Sequence, residues 1–288
     1  MFEGVHTATV TPFADGKVDY GAFGELVEWQ IEKGVDGIVP CGTTGESATL
    51  TEKEHAEVVD FVIDKVGGRV KVIAGTGSNS TATAIEMTRH AEKSGADAAL
   101  VISPYYNKPT PEGIYRHFVA ISEAVKIPIV LYNVPGRTSS NVPAGIVERL
   151  AEGKHIAAVK EASGDLGQVS RIAANTSLTI LSGDDGLTLP ILSVGGKGVI
   201  SVASNVVPAQ MKSLVDSYLG GENDKALAVH RRLSLLFKTL FIETNPIPVK
   251  TSLAAMGKIR EEFRLPLVNM EEKNKRQLIE VLEQLDIL

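Results

Sequence analysis

The fold is decided between residues 131 and 161. The stretch opens Leu131-Tyr132-Asn133-Val134-Pro135-Gly136-Arg137-Thr138 and closes Ile156-Ala157-Ala158-Val159-Lys160-Glu161. Each half begins as a short apolar run of the kind that forms a strand buried on both faces. Between them, residues 144–150 read as a helix. Strand, helix, strand is the unit of a parallel sheet. Each run also ends on a reactive side chain, Tyr132 in the first and Lys160 in the second. Burying an ammonium is costly. Desolvation favours the neutral amine, which is a nucleophile toward carbonyls. A strand-end lysine can instead carry its head to solvent, so Lys160 alone does not decide between a Schiff-base lysine and a snorkelling one.

The same alternation continues on both sides. Upstream, strands are expected at 5–10, 35–39, 70–74 and 98–102; downstream, at 127–132, 156–160, 178–181 and 198–202. The intervening helices carry start signals. Asp19 precedes a stripe of Phe23, Leu26, Val27 and Gln30. Thr51-Glu52-Lys53-Glu54 has the form of a capping box and leads into Val59, Val62, Ile63 and Val66. Ser80 precedes Ala84, Met87 and Ala91, and Thr110-Pro111 precedes Ile114, Phe118 and Ile121. Further helices are expected at 166–174, at 187–194 and after Pro208.

Eight such units predict an α/β fold, a closed (β/α)8 TIM barrel. After Gly220 the strands stop, and 226–241, 249–256 and 273–285 read as helices. The expected organisation is a barrel catalytic domain over 1–222 and a C-terminal helical extension over 223–288.

Composition narrows the function. Of 288 residues, 43% are hydrophobic and 22% charged, values ordinary for a soluble globular chain. A net charge of −6 offers no basic footprint for nucleic acid. The single cysteine, Cys41, rules out a disulfide framework within the chain and reads as a small buried residue. No apolar run approaches the ~20 residues that span a bilayer, and the N-terminus lacks a signal-like pattern. A cytoplasmic protein is expected.

In barrels of this type the chemistry sits where strands end. There the sequence places Cys41-Gly42-Thr43-Thr44-Gly45-Glu46-Ser47, Ser103-Pro104-Tyr105-Tyr106-Asn107, Tyr132 with Arg137, Lys160, Ser182-Gly183-Asp184-Asp185, and Ile200-Ser201. Hydroxyls, an arginine and a lysine thus converge on one face. The loop 42–47 lacks the Lys-Ser/Thr ending of a phosphate loop and the dinucleotide fingerprint. Free backbone N–H groups and two threonines suit a carboxylate, though the spacing alone also fits a plain βα turn, and Gly75-Thr76-Gly77 is taken as one. Asp184 and Asp185 read as helix caps. None of the six histidines pairs at metal-ligand spacing, so no metal site and no cofactor are expected. Lys250 is a rival nucleophile, set aside because it lies in the helical extension.

Taken together, Gly42-Thr43-Thr44-Gly45-Glu46, Tyr132-Asn133-Val134-Pro135 and Lys160-Glu161 resemble the pyruvate-dependent class I lyase/aldolase superfamily, and within it most closely the dihydrodipicolinate synthase family. Gly75-Thr76-Gly77, Ser182-Gly183-Asp184-Asp185 and Asn245-Pro246-Ile247-Pro248-Val249-Lys250 extend the resemblance along the whole chain. It implies that Lys160 forms an imine with pyruvate and that the derived enamine attacks aspartate semialdehyde. It implies Tyr132 as the acid/base, linked through Thr43 to Tyr106 of a neighbouring subunit, and hence a homo-oligomer, expected as a tetramer built as a dimer of dimers. Thr44 would hold the pyruvate carboxylate, Arg137 the semialdehyde carboxylate, and Gly183 and Ile200 would line the pocket. Ser47, Ala48, His55, Asn79 and Tyr105 match a lysine effector site of the family. Glu52 and Thr83 depart from its lysine-sensitive pattern, which more often has histidine and glutamate there, so weak or absent lysine inhibition is expected. Related lyases acting on N-acetylneuraminate or 2-keto-3-deoxy sugar acids share the lysine, tyrosine and glycine-threonine loop. A non-catalytic sensor of pyruvate-like acids would not need a proton relay. Arg137 suits a small carboxylated aldehyde and favours the synthase.

Overall fold

Eight parallel strands close on themselves in the computed structural model, which describes residues 2–288. They are β1 (Gly4–Ala8), β2 (Gly37–Val39), β3 (Lys71–Gly75), β4 (Ala98–Ile102), β5 (Ile129–Asn133), β6 (Ile156–Glu161), β7 (Thr179–Ser182) and β8 (Gly198–Ser201). β1 pairs with both β2 and β8, which leaves no free edge. The barrel helices are α1 (Tyr20–Glu32), α2 (Glu52–Val66), α3 (Thr81–Ser94), α4 (Pro111–Ala124), α5 (Ala144–Ala151), α6 (Leu166–Asn175), α7 (Thr188–Ser193) and α8 (Pro208–Leu219).

The start signals act as read. Asp19 accepts from the Ala22 N–H, Ser80 from Thr83 and Thr110 from Gly113. Thr51 and Glu54 form both halves of the capping box. Two stripes differ by a position. On α2, Val58 is buried and Ile63 only half-buried. On α3, Thr88 is buried in place of Met87 because its hydroxyl is satisfied twice, by the Ala84 carbonyl at 2.6 Å and by Thr76 at 2.8 Å. β5 starts two residues later than the apolar run, since Pro128 cannot donate to the ladder. A small hairpin, Phe13–Ala14 with Lys17–Val18, and a single helical turn, Pro135–Thr138, are too short to carry a periodicity.

Alternation along each strand sorts side chains between two cores. Leu131, Val159, Val101 and Ile180 face the helices. Ala8, Val39, Ile73, Leu100, Val130, Tyr132, Ala158, Leu181 and Ile200 pack inside the barrel. The remaining helices, α9 (Asn223–Thr239), α10 (Ile247–Ala255) and α11 (Glu272–Gln284), share a hydrophobic core with α1, α2 and α8. Leu233, Leu236, Val249, Leu253, Leu278 and Leu282 there meet Val10, Phe23, Val59 and Met211. Among the described residues, no helix is long and apolar enough to cross a membrane.

Candidate active site

Tyr132 and Lys160 stand opposite one another on the neighbouring strands β5 and β6. Each lies two residues beyond an inward-facing one, Val130 and Ala158, so period two aims both into the barrel mouth. The Lys160 amine lies 4.2 Å from the centroid of the Tyr132 ring. Both are buried, at 6% and 7% exposure. Burial pushes the Lys160 amine down to about 7; Asp185 opposes the shift and the Arg137 guanidinium adds to it. Burial also pushes the Tyr132 phenol up to about 12, against the pull of Arg137 and of a hydrogen bond with the Thr43 hydroxyl. A substantial neutral fraction of the amine at neutral pH therefore sits beside a protonated phenol, one able to attack a carbonyl and the other to give it a proton.

Thr43 and Thr44 belong to the turn after β2. Cys41 (φ 54°) and Glu46 (φ 52°) bracket this turn in the left-handed region, which non-glycine residues adopt at a cost of about 1–2 kcal/mol each. Such strain persists where the surroundings enforce it, and here they do. A side chain on Gly75 would collide with the Cys41 carbonyl, so the end of β3 lies directly against the turn. The Thr11 hydroxyl donates to the Gly45 carbonyl at 2.7 Å. Thr44, 3% exposed, accepts a hydrogen bond from Asn245 Nδ2 at 3.0 Å. Glu46 accepts from Lys250 Nζ at 2.5 Å, with both side chains fully buried.

This last contact bears on the rival nucleophile. Lys250 is as buried as Lys160, so its place in the extension is not what disqualifies it. Burial pulls its amine below the ordinary lysine range, and the Glu46 carboxylate acts against that. An amine locked in an ion pair and flanked by the rings of Phe13 and Phe263 has no free lone pair for a ketone.

Strand β7 ends beside the lysine. A side chain on Gly183 would stand 2.7 Å from Ala162 Cβ and 3.1 Å from Lys160 Cε, so only glycine leaves the lysine its channel. Ile200 is fully buried in the barrel lining. The two aspartates divide. Asp184 caps the following turn by accepting from Gly186 at 2.8 Å and Leu187 at 3.3 Å. Asp185, also read as a cap, turns inward instead. It accepts from Ser201 Oγ at 2.5 Å and from the Val202 and Ala203 N–H groups at 3.1 and 2.8 Å. Burial pushes its carboxyl up to about 6. It is the acidic group that acts on Lys160, and the sequence signal was a second aspartate where one suffices for a cap. Glu161 is buried on the other face of β6, where Asn133, Ser163 and Gln168 all donate to it and fix the strand end.

Arg137 stands in the single turn after β5 and donates from Nη2 to the Asn245 carbonyl at 3.2 Å. Tyr106 is not brought to this site by its own chain. It is 89% exposed at φ 72°, and among the described residues no hydrogen bond joins it to Thr43. Around the outer rim, Ser47 and Ala48 form a short turn and Tyr105 is exposed. The His55 ring is engaged by the Gly75 carbonyl at 2.8 Å, and the Asn79 carbonyl accepts from Asn107 at 2.9 Å. Glu52 and Thr83 lie in the first turns of α2 and α3. No group of three or more histidine, cysteine or acidic residues is placed to hold a metal ion among the described residues.

Comparison with known proteins gives one answer. The model of the dihydrodipicolinate synthetase family matches residues 1–285. The 4-hydroxy-tetrahydrodipicolinate synthase of Thermodesulfovibrio yellowstonii is 52% identical over 290 aligned positions, covering 100% of both chains. The crystal structure of dihydrodipicolinate synthase from Aquifex aeolicus is similar at a TM-score of 0.98, with 47% identity over 99% of each chain. The chloride-inhibited dihydrodipicolinate synthase of Acinetobacter baumannii, complexed with pyruvate, is similar at a TM-score of 0.98, with 41% identity over 100% of each chain.

Proposed function

The chain belongs to the dihydrodipicolinate synthetase family, and on that premise we propose how its residues divide the work. The enzyme is a 4-hydroxy-tetrahydrodipicolinate synthase, a Schiff-base-forming lyase that condenses pyruvate with aspartate semialdehyde. The neutral amine of Lys160 adds to the pyruvate ketone, and loss of water leaves an imine. Loss of a methyl proton gives an enamine, whose carbon attacks the aldehyde. The semialdehyde's own amine then displaces Lys160 and closes the ring.

Tyr132 gives and takes the protons of these steps. A phenol with its pKa near 12 is a poor base alone, so it needs a partner through which the proton can leave. Thr43 is that partner. Thr44 and the N–H groups of its turn hold the pyruvate carboxylate, Arg137 holds the carboxylate of the semialdehyde, and Gly183 and Ile200 shape the space between. Tyr106, exposed on its own subunit, completes the relay in a neighbouring copy. That requirement supports a homo-oligomer, which we take as a tetramer acting in the cytoplasm. The catalytic set lies within 1–222, and 223–288 serves as the supporting extension.

The observation that carries this reading is the buried Lys160 amine, pushed down to about 7 and set 4.2 Å from the Tyr132 ring. Incubation with pyruvate and borohydride, followed by peptide mass spectrometry, tests it. A reduced adduct on Lys160 is expected. No adduct, or one on Lys250, overturns it.

A further inference from the structure

We propose that Asn245, a residue of the C-terminal segment, positions the Thr44 hydroxyl for the pyruvate carboxylate. This rests on the reading of Lys160 and Thr44 given above. Asn245 lies just before α10, is 5% exposed, and meets the site at two points. Its side-chain Nδ2 donates to Thr44 Oγ1 at 3.0 Å, and its backbone carbonyl accepts from Arg137 Nη2 at 3.2 Å. One residue therefore touches both of the groups assigned to the two substrate carboxylates.

The side-chain contact has a direction. A threonine hydroxyl has one proton to give and two lone pairs to receive. With a lone pair taken by the Asn245 amide, its proton is free to be given elsewhere, and the incoming N–H polarises it. A buried hydroxyl set in this way is a prepared donor for a carboxylate.

The arrangement is unfavourable for stability alone. Asn245 Oδ1 is buried without a hydrogen-bond partner among the described residues. Turning the amide over would pair Oδ1 with the Thr44 hydroxyl and strand Nδ2 instead. Either orientation leaves a buried polar atom unpaired, which is destabilising. The contact also joins residues 201 positions apart, so no local turn or cap requires it.

The test is Asn245→Ala in the full-length enzyme, read three ways: half-saturating pyruvate for borohydride trapping on Lys160, KM for each substrate, and melting temperature. Loss of one hydrogen bond is expected to raise the pyruvate values about tenfold. The backbone carbonyl on Arg137 survives the substitution, so the KM for aspartate semialdehyde should stay within about twofold. The melting temperature should not fall. On a Thr44→Val background, Asn245→Ala should add nothing to the pyruvate defect. Equal rises in both KM values with a lowered melting temperature would mark Asn245 as merely structural and overturn the proposal, as would an unchanged pyruvate requirement. If the unaltered enzyme traps no pyruvate on Lys160, the underlying reading has failed and the proposal goes with it.

Discussion

Lys160 and Tyr132 face each other at matching register on adjacent parallel strands, with the amine 4.2 Å from the ring centre. Register makes this pair. A slip of one residue on either strand would turn one partner outward into the helix layer. Burial then sets their chemistry, since the same low-dielectric mouth that disfavours an ammonium also disfavours a phenolate.

The first consequence is a pH profile. With the Lys160 amine pushed to about 7, the proposed mechanism has only the deprotonated fraction attack pyruvate. The rate of borohydride-trapped adduct should climb from pH 5, pass its midpoint near pH 7 and level off above pH 8. A midpoint near 10, the value for a solvated lysine, would show that the amine is not desolvated.

Tyr132→Phe keeps the ring beside the lysine and removes only the hydroxyl. Steady-state turnover should drop about 10²- to 10⁴-fold, the usual span for a lost acid/base. The circular dichroism spectrum should be unchanged, because the ring still fills the barrel lining. Turnover within threefold of normal would move the proton-transfer role to another residue.

Lys250→Met leaves Glu46 as a buried carboxylate without its cation. Breaking one side of such a pair is expected to cost about 3–5 kcal/mol in urea denaturation, whereas the double change Lys250→Met with Glu46→Leu should recover most of it. Pyruvate trapping on Lys160 should persist in the folded fraction of Lys250→Met. If the single variant is as stable as the parent, the pair does not hold the 42–47 turn.

Feedback by lysine should be weak. Five residues match the family's effector site in sequence, but Glu52 and Thr83 differ from its lysine-sensitive pattern. Loss of a carboxylate partner for the effector's ammonium weakens binding by a few kcal/mol when the pair is desolvated. Initial rates titrated with lysine should remain above half of maximum at 10-fold more lysine than inhibits a sensitive relative. Half-inhibition at the sensitive enzyme's concentration would refute this.

Much of this was legible because it is local. The cap at Asp19, the capping box at Thr51 and Glu54, and the Thr110-Pro111 start each act within one turn of chain. Period two put Tyr132 and Lys160 on the same face as Val130 and Ala158. The weaker inferences failed where polarity misled them, as with Thr88, whose hydroxyl finds two partners in the core, and Asp185, which turned inward.

The sequence by itself determined the order of eight βα units, the helix starts, and the chemistry available at each strand end. Those depend on spacings of two to four residues. Tertiary structure alone decided which strand ends meet, how deeply Lys160 is desolvated, and that a segment near the C-terminus reaches back to the turn after β2. The Asn245 contact with Thr44 and the Lys250 pair with Glu46 join residues 201 and 204 positions apart. Neither leaves a periodic mark in the chain, because the geometry that joins them exists only after the barrel closes and the last helices pack against it.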